Sequence, residues 1–165
     1  MGQPKKFKKK YARPKKPYDK ERIDRERKIL NDFGLRRKKE IWRAESIVRD
    51  YRRRARELQA KRNELAEKEL ITRLNRLGIT CKRLDDVLQI NLDDILSRRL
   101  QTIVFKKGMA NSMRHSRQLI VHGHIMVDNR KVSWPSHIVE KDSEEKISLS
   151  NYIASKMVKE DVKKV

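Results

Sequence analysis

The sequence has little of the material from which covalent or metal-based chemistry is built. Among its 165 residues there is one cysteine, Cys81, which excludes an internal disulfide and argues against a cysteine-based zinc site. No apolar run approaches the roughly 20 residues of a membrane span, and the opening MGQPKKFKKK lacks the apolar segment of a signal peptide. We therefore expect a protein of a reducing cytoplasm without membrane attachment.

Motifs of common enzyme and cofactor sites are also missing. The sequence contains no P-loop, no GxSxG, no HExxH and no dinucleotide fingerprint. His115, His122 and His124 lie near one another, but no cysteine or carboxylate stands beside them to complete a metal site. The paired aspartates of LDDVLQI and NLDDILSRR point about 100° apart on a helix, so capping explains them better than acid/base chemistry. We expect no enzyme, no metal and no cofactor.

Negative charge is scarce relative to positive charge. The chain has 44 Lys and Arg against 23 Asp and Glu, a net charge of +21, which is more than solubility requires and favours a polyanionic partner. Hydrophobic residues make up 36% of the chain, enough for one modest core. Because this share is below that of usual globular proteins, part of the chain is expected to need RNA or another protein to order it.

Residues 1–18 carry eight positive charges, no negative ones and three prolines that interrupt any helix. This segment is either a solvated tail or an arm laid along phosphates, with Phe7, Tyr11 and Tyr18 interleaved as stacking groups. We favour the arm. Its basic residues are Lys5, Lys6, Lys8, Lys9, Lys10, Arg13, Lys15 and Lys16.

A helical pattern begins near Tyr18 and is expected to end at Gly34. The next segment, residues 36–62, has twelve bases and four acids, a net charge of 12 − 4 = +8, on a helical pattern with a sparse apolar stripe. Its acids are too few to neutralise the arginines by i, i+4 pairing. Because arginine suits bidentate phosphate contacts and stacking on bases, we favour RNA backbone over solvent as its counterpart.

Residues 64–96 are nearly neutral, with seven acids and five bases, and are expected to form ordinary core. A helix ending at Gly78 is predicted to bury a face made of Leu65, Leu70, Ile71, Leu74 and Leu77. After residue 139, a closing strand is expected at residues 146–150 and a short helix at residues 152–158.

Residues 98–139 predict two short helices and a hairpin. On the first helix, an apolar face of Leu100, Ile103 and Val104 is expected to pack. The opposite face is expected to be exposed and positive, with Arg98, Arg99, Thr102 and Lys106. Gly108 is expected to end this helix, and Asn111 or Ser112 to cap the next one.

On the second helix, Met113, Ser116 and Ile120 share a face with Leu119 beside it. Arg114, Arg117 and Gln118 lie on the other side. Gly123 ends this helix. Strands at residues 125–127 and 130–132, joined by a turn at Asp128-Asn129, complete a predicted hairpin.

The run RQLIVHGHIMV, with the two helices before it and WPSHIV after it, resembles the S-four RNA-binding domain, also called the αL motif. Ribosomal proteins, some aminoacyl-tRNA synthetases and some pseudouridine synthases share that domain. Because the residues before Arg98 read as helices with a heavy positive bias, we expect no catalytic domain among them. GLRRKKEIWRAESIVRDYRRRARELQ, NRLGI, LDDVLQI and SRRLQTIVFKKGMANSMRHSRQLIVHGHIMV instead resemble, in order, the archaeal and eukaryotic type of the small-subunit ribosomal protein S-four family.

The resemblance implies an α+β, mostly helical fold in four parts. These are a basic N-terminal arm (1–18), a basic helical domain (19–97), an S-four-type module of two helices and a small antiparallel sheet (98–160), and a tail (161–165). It also implies a primary binder of small-subunit rRNA. Such a protein organises a multi-helix junction of the 5′ domain, nucleates assembly, and contributes to the mRNA entrance and to accuracy beside the S-three and S-five proteins.

The rRNA-binding residues implied by the resemblance fall into three groups. The first is the arm. The second lies in the basic helical domain: Arg36, Arg37, Lys38, Lys39, Arg43, Arg49, Arg52, Arg53, Arg54 and Arg56. The third lies in the module: Arg98, Arg99, Lys106, Lys107, Arg114, His115, Arg117, Gln118, His122, His124, Arg130 and Lys131.

Two other functions would also use a strongly basic chain. A non-ribosomal RNA-binding assembly, rescue or heat-shock factor could carry the same module, but it would bind the ribosomal subunit substoichiometrically. A DNA-packaging protein would account for the charge and not for the module. We expect neither DNA nor a membrane to be the partner.

Overall fold

The computed structural model describes residues 9–61 and 63–150, which form eight helices and three strands. The elements are α1 Lys20–Asp32, α2 Lys38–Lys61, α3 Glu64–Arg76, α4 Leu84–Gln89, α5 Leu92–Ser97, α6 Leu100–Lys106, α7 Met113–Val121, β1 Ile125–Val127, β2 Arg130–Lys131, α8 Lys141–Glu144 and β3 Ile147–Leu149. The predicted α+β, mostly helical class is confirmed. The predicted helix at residues 152–158 and the tail lie outside the described residues, as do Lys5, Lys6 and Lys8 of the arm.

Local sequence signals set the beginnings of several helices. The hydroxyl of Ser112 accepts a hydrogen bond from the backbone N–H of His115 at 3.1 Å, so of the two predicted caps the structure uses Ser112. Asp86 accepts from the backbone N–H groups of Lys82 and Arg83 at 2.8 and 3.1 Å. Asp94 likewise accepts from Asn91 at 2.8 Å. The paired aspartates therefore cap helices, as predicted.

The first hydrophobic cluster surrounds α2. This helix is positive on most of its surface, but Ile41, Ala44, Val48 and Ala55 at i, i+3, i+4 spacing bury one stripe against α3, α4 and α5. The two short helices α4 and α5 contribute their apolar sides to the same cluster. The result is a neutral interior under a strongly basic exterior.

The second hydrophobic cluster lies between α6, α7 and the sheet. Leu100, Ile103 and Val104 of α6 are buried against Leu119 and Ile120 of α7, as the sequence predicts. In the sheet, the strand order is β2-β1-β3 and both pairings are antiparallel. The predicted hairpin and closing strand are thus confirmed.

The hairpin turn uses left-handed backbone at both central residues. Asp128 has φ 49° and Asn129 has φ 61°, the conformation of a two-residue turn that matches the twist of the strands. Asp128 is also held from outside the hairpin. Its carboxylate accepts a hydrogen bond from Ser143 at 3.0 Å and pairs with Lys146 at 3.4 Å, so the turn is fastened to the segment around β3.

Two sequence predictions about burial are wrong. Leu65 was expected in the core face of α3, but it is 75% exposed. With about 100° of rotation per residue, Leu65 lies roughly 140° from Leu70 and cannot share the face that Leu70 and Leu74 bury. The second error concerns part of the exposed face assigned to α6: Lys106 is exposed as predicted, but Arg99 and Thr102 are both buried. Thr102 donates its hydroxyl hydrogen to the carbonyl of Leu96 at 2.8 Å and packs against the end of α5.

Candidate RNA-binding surface

Four of the predicted module cations are exposed and lie on three separate elements. Lys106 is at the end of α6, Arg114 is in the first turn of α7, and Arg130 and Lys131 form the edge strand β2. None of these four pairs with a carboxylate within residues 9–61 and 63–150. Unpaired cations on a rigid scaffold are the groups that can neutralise phosphates. We call these four residues the module cations.

Three other module arginines are not free, which corrects the expectation that they point outward. Arg98 pairs with Glu144 at 2.8 Å and donates to the carbonyl of Val139 at 3.3 Å. Arg99 and Arg117 both pair with Glu40 of α2, at 2.5 and 3.1 Å. The sequence prediction compared only neighbouring residues, and Glu40 lies 59 and 77 positions away from these two arginines.

Glu40 and its two arginines form a link between the two hydrophobic clusters. Burial alone would raise the pKa of Glu40, but the hydrogen bonds and charges of Arg117 and Arg99 outweigh it and lower that pKa. The pKa of Arg99 is lowered because burial of its guanidinium is only partly offset by Glu40. Such a pair, once buried, depends on both partners for its stability.

Gln101 completes this link on the side of α1. Its side-chain amide donates to the carbonyls of Gly34 and Met113 at 3.0 and 2.9 Å, and its side-chain oxygen accepts from Arg117 at 3.3 Å. The backbone carbonyl of Gln101 accepts from the hydroxyl of Ser116 at 2.6 Å. Buried polar groups of α6 and α7 are therefore hydrogen-bonded to each other and to the end of α1.

The remaining module candidates differ in exposure. Lys107 is exposed, and its amine donates to the backbone carbonyl of Glu144. Gln118 and His122 are exposed as well, while His124 is half-buried with its ring centroid 6.1 Å from that of His122. The ring of His115, which is half-buried, accepts a weak hydrogen bond from the N–H of Asn111 at 3.4 Å. No group of three metal-ligating side chains occurs among the described residues.

The basic candidates of the helical domain are mostly solvent-exposed. The exposed ones are Arg36, Arg37, Lys39, Arg43, Arg49, Arg53, Arg54 and Arg56. Arg52 is an exception, because it donates to the carbonyl of Ile90 at 2.5 Å and so fastens α2 to the end of α4. Arg53 has a surface partner in Glu57 at 2.9 Å. Most of this ridge therefore remains open to an anion.

The described part of the arm lies close to the start of α2. Lys9, Lys10, Arg13, Lys15 and Lys16 are exposed. The guanidinium of Arg22 donates to the carbonyls of Lys16 and Pro17, each at 2.9 Å, which holds the end of the arm against α1. The ring of Tyr11 lies 6.1 Å from the ring of Trp42 on α2.

Sequence reasoning missed the charge centre at this junction. Glu26 of α1 is 3% exposed, yet three partners stabilise its carboxylate form. These are Arg22 at 2.6 Å, Lys38 at 3.1 Å and the indole N–H of Trp42 at 3.0 Å. Burial would raise its pKa, but hydrogen bonds from Trp42, Lys38 and Arg22 lower it. The signal in the sequence was an acid on the apolar side of α1, close to a basic helix. Such acids are common in helices, so this one does not predict a buried ion pair.

None of the helices in the described part of the chain is long and apolar enough to cross a bilayer. Cys81 is buried as a free thiol, and burial raises its pKa, so it behaves as a small core residue.

The fold and the basic surface define an S-four-domain protein, and comparison with known sequences agrees: residues 98–144 match the S4 domain. Three archaeal proteins named small ribosomal subunit protein uS4 are similar along most of the chain. That of Ignicoccus hospitalis is 49% identical over 152 residues, covering 89% of this chain and 92% of its own. That of Hyperthermus butylicus is 48% identical over 150 residues, covering 88% and 85%. That of Picrophilus torridus is 47% identical over 156 residues, covering 90% and 85%.

The chain therefore belongs to the uS4 family of small ribosomal subunit proteins. This membership confirms the resemblance to the archaeal and eukaryotic type of the family. It also confirms the expectations of a structural ribosomal role and of a protein that is not an enzyme.

Proposed function

We propose that this chain binds small-subunit rRNA directly, as a primary binder that holds several RNA helices of a 5′-domain junction at fixed angles. The observation that carries the proposal is the placement of unpaired cations on rigid elements. The module cations and the exposed ridge of α2 stand on two hydrophobic clusters that Glu40 joins. A polyanion with a fixed shape complements such a surface better than a linear sequence does.

The proposed parts of the chain follow the sequence expectation. Residues 1–18 act as an arm, residues 19–97 as the basic helical domain, residues 98–160 as the RNA-binding module, and residues 161–165 as a tail. The two hydrophobic clusters support a division between α5 and α6, since the buried residues of the first end at Leu96 and those of the second begin at Leu100. Ile138 is the one later residue that packs against the first cluster in the described part of the chain.

We propose two roles for the predicted basic residues: some contact rRNA directly, and others position the elements that do. Exposed residues of the arm, the α2 ridge and the module contact phosphates directly. Arg98, Arg99 and Arg117 act by positioning the elements that carry the module cations, because carboxylates already occupy their guanidinium groups.

We further propose that the bound protein nucleates small-subunit assembly and lies by the mRNA entrance in contact with S-three and S-five family proteins. There it contributes to the accuracy of translation in the cytoplasm. The support for these roles is the family resemblance. Crosslinking in assembled subunits should recover peptides of both neighbours, and their absence would remove this part of the proposal.

The direct test is footprinting of the full chain on protein-free small-subunit rRNA. We expect protected nucleotides to cluster in RNA helices that meet at one junction, without any other protein present. Protection that requires prior binding of another ribosomal protein would contradict primary binding. Equal competition by duplex DNA would contradict recognition of folded RNA.

A further inference from the structure

A cavity of about 590 Å³ lies where the arm crosses the beginning of α2. Its apolar lining includes Pro14, Pro17 and the indole of Trp42, and its cationic lining includes Arg13, Arg37 and Lys39. This volume falls within the range of small-ligand sites in proteins. The cavity lined by Arg54 and Lys61 near the end of α2 also has cations, but it has no aromatic ring and it includes Glu57 and Glu69. The cavity at the arm therefore differs in placing an aromatic ring and prolines among cations.

Trp42 is fixed in place before any ligand arrives. Its indole N–H donates to Glu26 at 3.0 Å, and the ring of Tyr11 lies 6.1 Å away at an angle of 34°. Glu26 is in turn held by Arg22 and Lys38, which line the cavity, so this buried carboxylate is already neutralised. A ring oriented in this way offers a stacking surface at low entropic cost.

The charges around the cavity select the occupant. Arg13, Arg37 and Lys39 are exposed and have no carboxylate partner within residues 9–61 and 63–150. These residues flank the first turn of α2, where the positive end of a 24-residue helix adds to the attraction for an anion. A ligand that fits must therefore be flat and apolar in one part and anionic in another.

We propose that this cavity takes a single unstacked nucleotide of the rRNA, with its base against Trp42 and its phosphate between Arg37 and Lys39. The inference rests on the proposed rRNA binding and goes further by assigning a base contact on α2, outside the S-four module. Unpaired bases stacked on aromatic rings are the usual means by which proteins recognise irregular RNA. The site anchors the arm and α2 to one bulged or looped nucleotide.

Fluorescence of Trp42 offers the first test. The chain has two tryptophans, and Trp134 is 70% exposed, so Trp134→Phe leaves Trp42 as the single reporter in the full chain. We expect a hexamer of oligoadenylate to quench Trp42, and an abasic hexamer of the same length to leave its emission unchanged. Equal quenching by both hexamers, or none by either, would overturn the proposal.

Nucleotide-resolved probing on small-subunit rRNA offers the second test. We expect wild-type protein to shield the base edge of one unpaired nucleotide, and Trp42→Leu to lose that protection while backbone protection elsewhere remains. Oligoadenylate binding by Trp42→Leu should weaken about 5- to 150-fold. Trp42→Phe, which keeps a ring but not the bond to Glu26, should restore the base protection even if it melts at a lower temperature.

The outcomes separate this inference from the proposed function. If the wild-type chain protects no rRNA, rRNA binding itself fails. If it protects rRNA and Trp42→Leu changes no base protection, only the nucleotide site fails. Loss of the same base protection in Trp134→Leu would place the contact elsewhere and would also overturn the assignment to this cavity.

Discussion

At the residue scale, the most consequential side chain is an acid in a chain dominated by bases. Glu40 is surrounded by Arg99 and Arg117 and lies on the helix that carries most of the basic ridge. Arg99 is 6% exposed and would lose its only carboxylate partner in the described structure if Glu40 were changed. Removing one member of a buried pair costs more than the pair contributes, because the other charge stays desolvated.

We expect Glu40→Gln to lower the free energy of unfolding by about 3 kcal/mol, as judged by urea denaturation. The matched control is Glu57→Gln, which removes an exposed partner of Arg53 on the same helix. That change should cost less than about 1 kcal/mol. Equal losses in the two variants would mean that Glu40 is no more than a surface partner.

The effect of Glu40 should depend on pH. Its folded-state pKa is lowered, so its stabilisation is present above the unfolded pKa, roughly 4.3, and is lost as the pH falls through the lower folded value. The difference in unfolding free energy between wild type and Glu40→Gln should stay constant from about pH 7 to 5 and shrink below about pH 4.3. Denaturation curves collected across this range measure it. A difference that grew on acidification would reverse the assigned sign.

At the element scale, helix ends could be predicted and helix environments could not. Ser112, Gly108 and Gly123 end or begin elements through contacts within a few residues, so their signals are complete in the local sequence. The exposure of Arg99 depends on a helix 59 residues earlier. No periodicity within α6 contains that information, and the prediction that Arg99 is exposed was wrong for that reason.

Two glycines with similar backbone angles should respond differently to alanine. Gly34 has φ 56°, and an added Cβ would lie 2.7 Å from the Cβ of Met113, where the end of α1 meets the start of α7. Gly108 has φ 72° and open space around it. We expect Gly108→Ala to cost about 1 kcal/mol from backbone strain alone. Gly34→Ala should cost a further 1 to 3 kcal/mol or so from overpacking, by thermal or urea denaturation. Similar losses at both positions would show that the contact between α1 and α7 yields easily.

At the scale of the whole molecule, the net charge of +21 and the order of the motifs were enough to predict a basic RNA-binding protein of this family. Both features are properties of the sequence as a whole, and neither depends on how the chain folds. The division of the basic residues into exposed cations and positioning arginines needed the folded structure. The junction of Glu26, Lys38 and Trp42 likewise joins two helices that no sequence pattern pairs.

A charge-deletion experiment belongs to this scale. Arg114→Ala with Arg130→Ala should reduce the dependence of rRNA affinity on salt by roughly 0.7 to 0.9 in slope for each lost phosphate contact. The free energy of unfolding should change by no more than about 0.5 kcal/mol per substitution, since both side chains are exposed. Lys68→Ala, an exposed cation of α3 outside the proposed surface, is the control and should leave the slope unchanged. If Lys68→Ala reduced the salt slope as much per substitution as the double variant does, net charge and not the position of the cations would account for the affinity.

In the proposed binding mode, the link of Arg99 and Arg117 through Glu40 acts as a fixed spacer between two RNA-binding surfaces. With the spacing of the α2 ridge and the module cations set in advance, engagement of one surface presents the other at a high effective concentration. Loss of the ion pairs between Glu40 and the two arginines would turn this rigid spacer into a flexible connection. Avidity would then fall even though every residue facing the RNA remained in place.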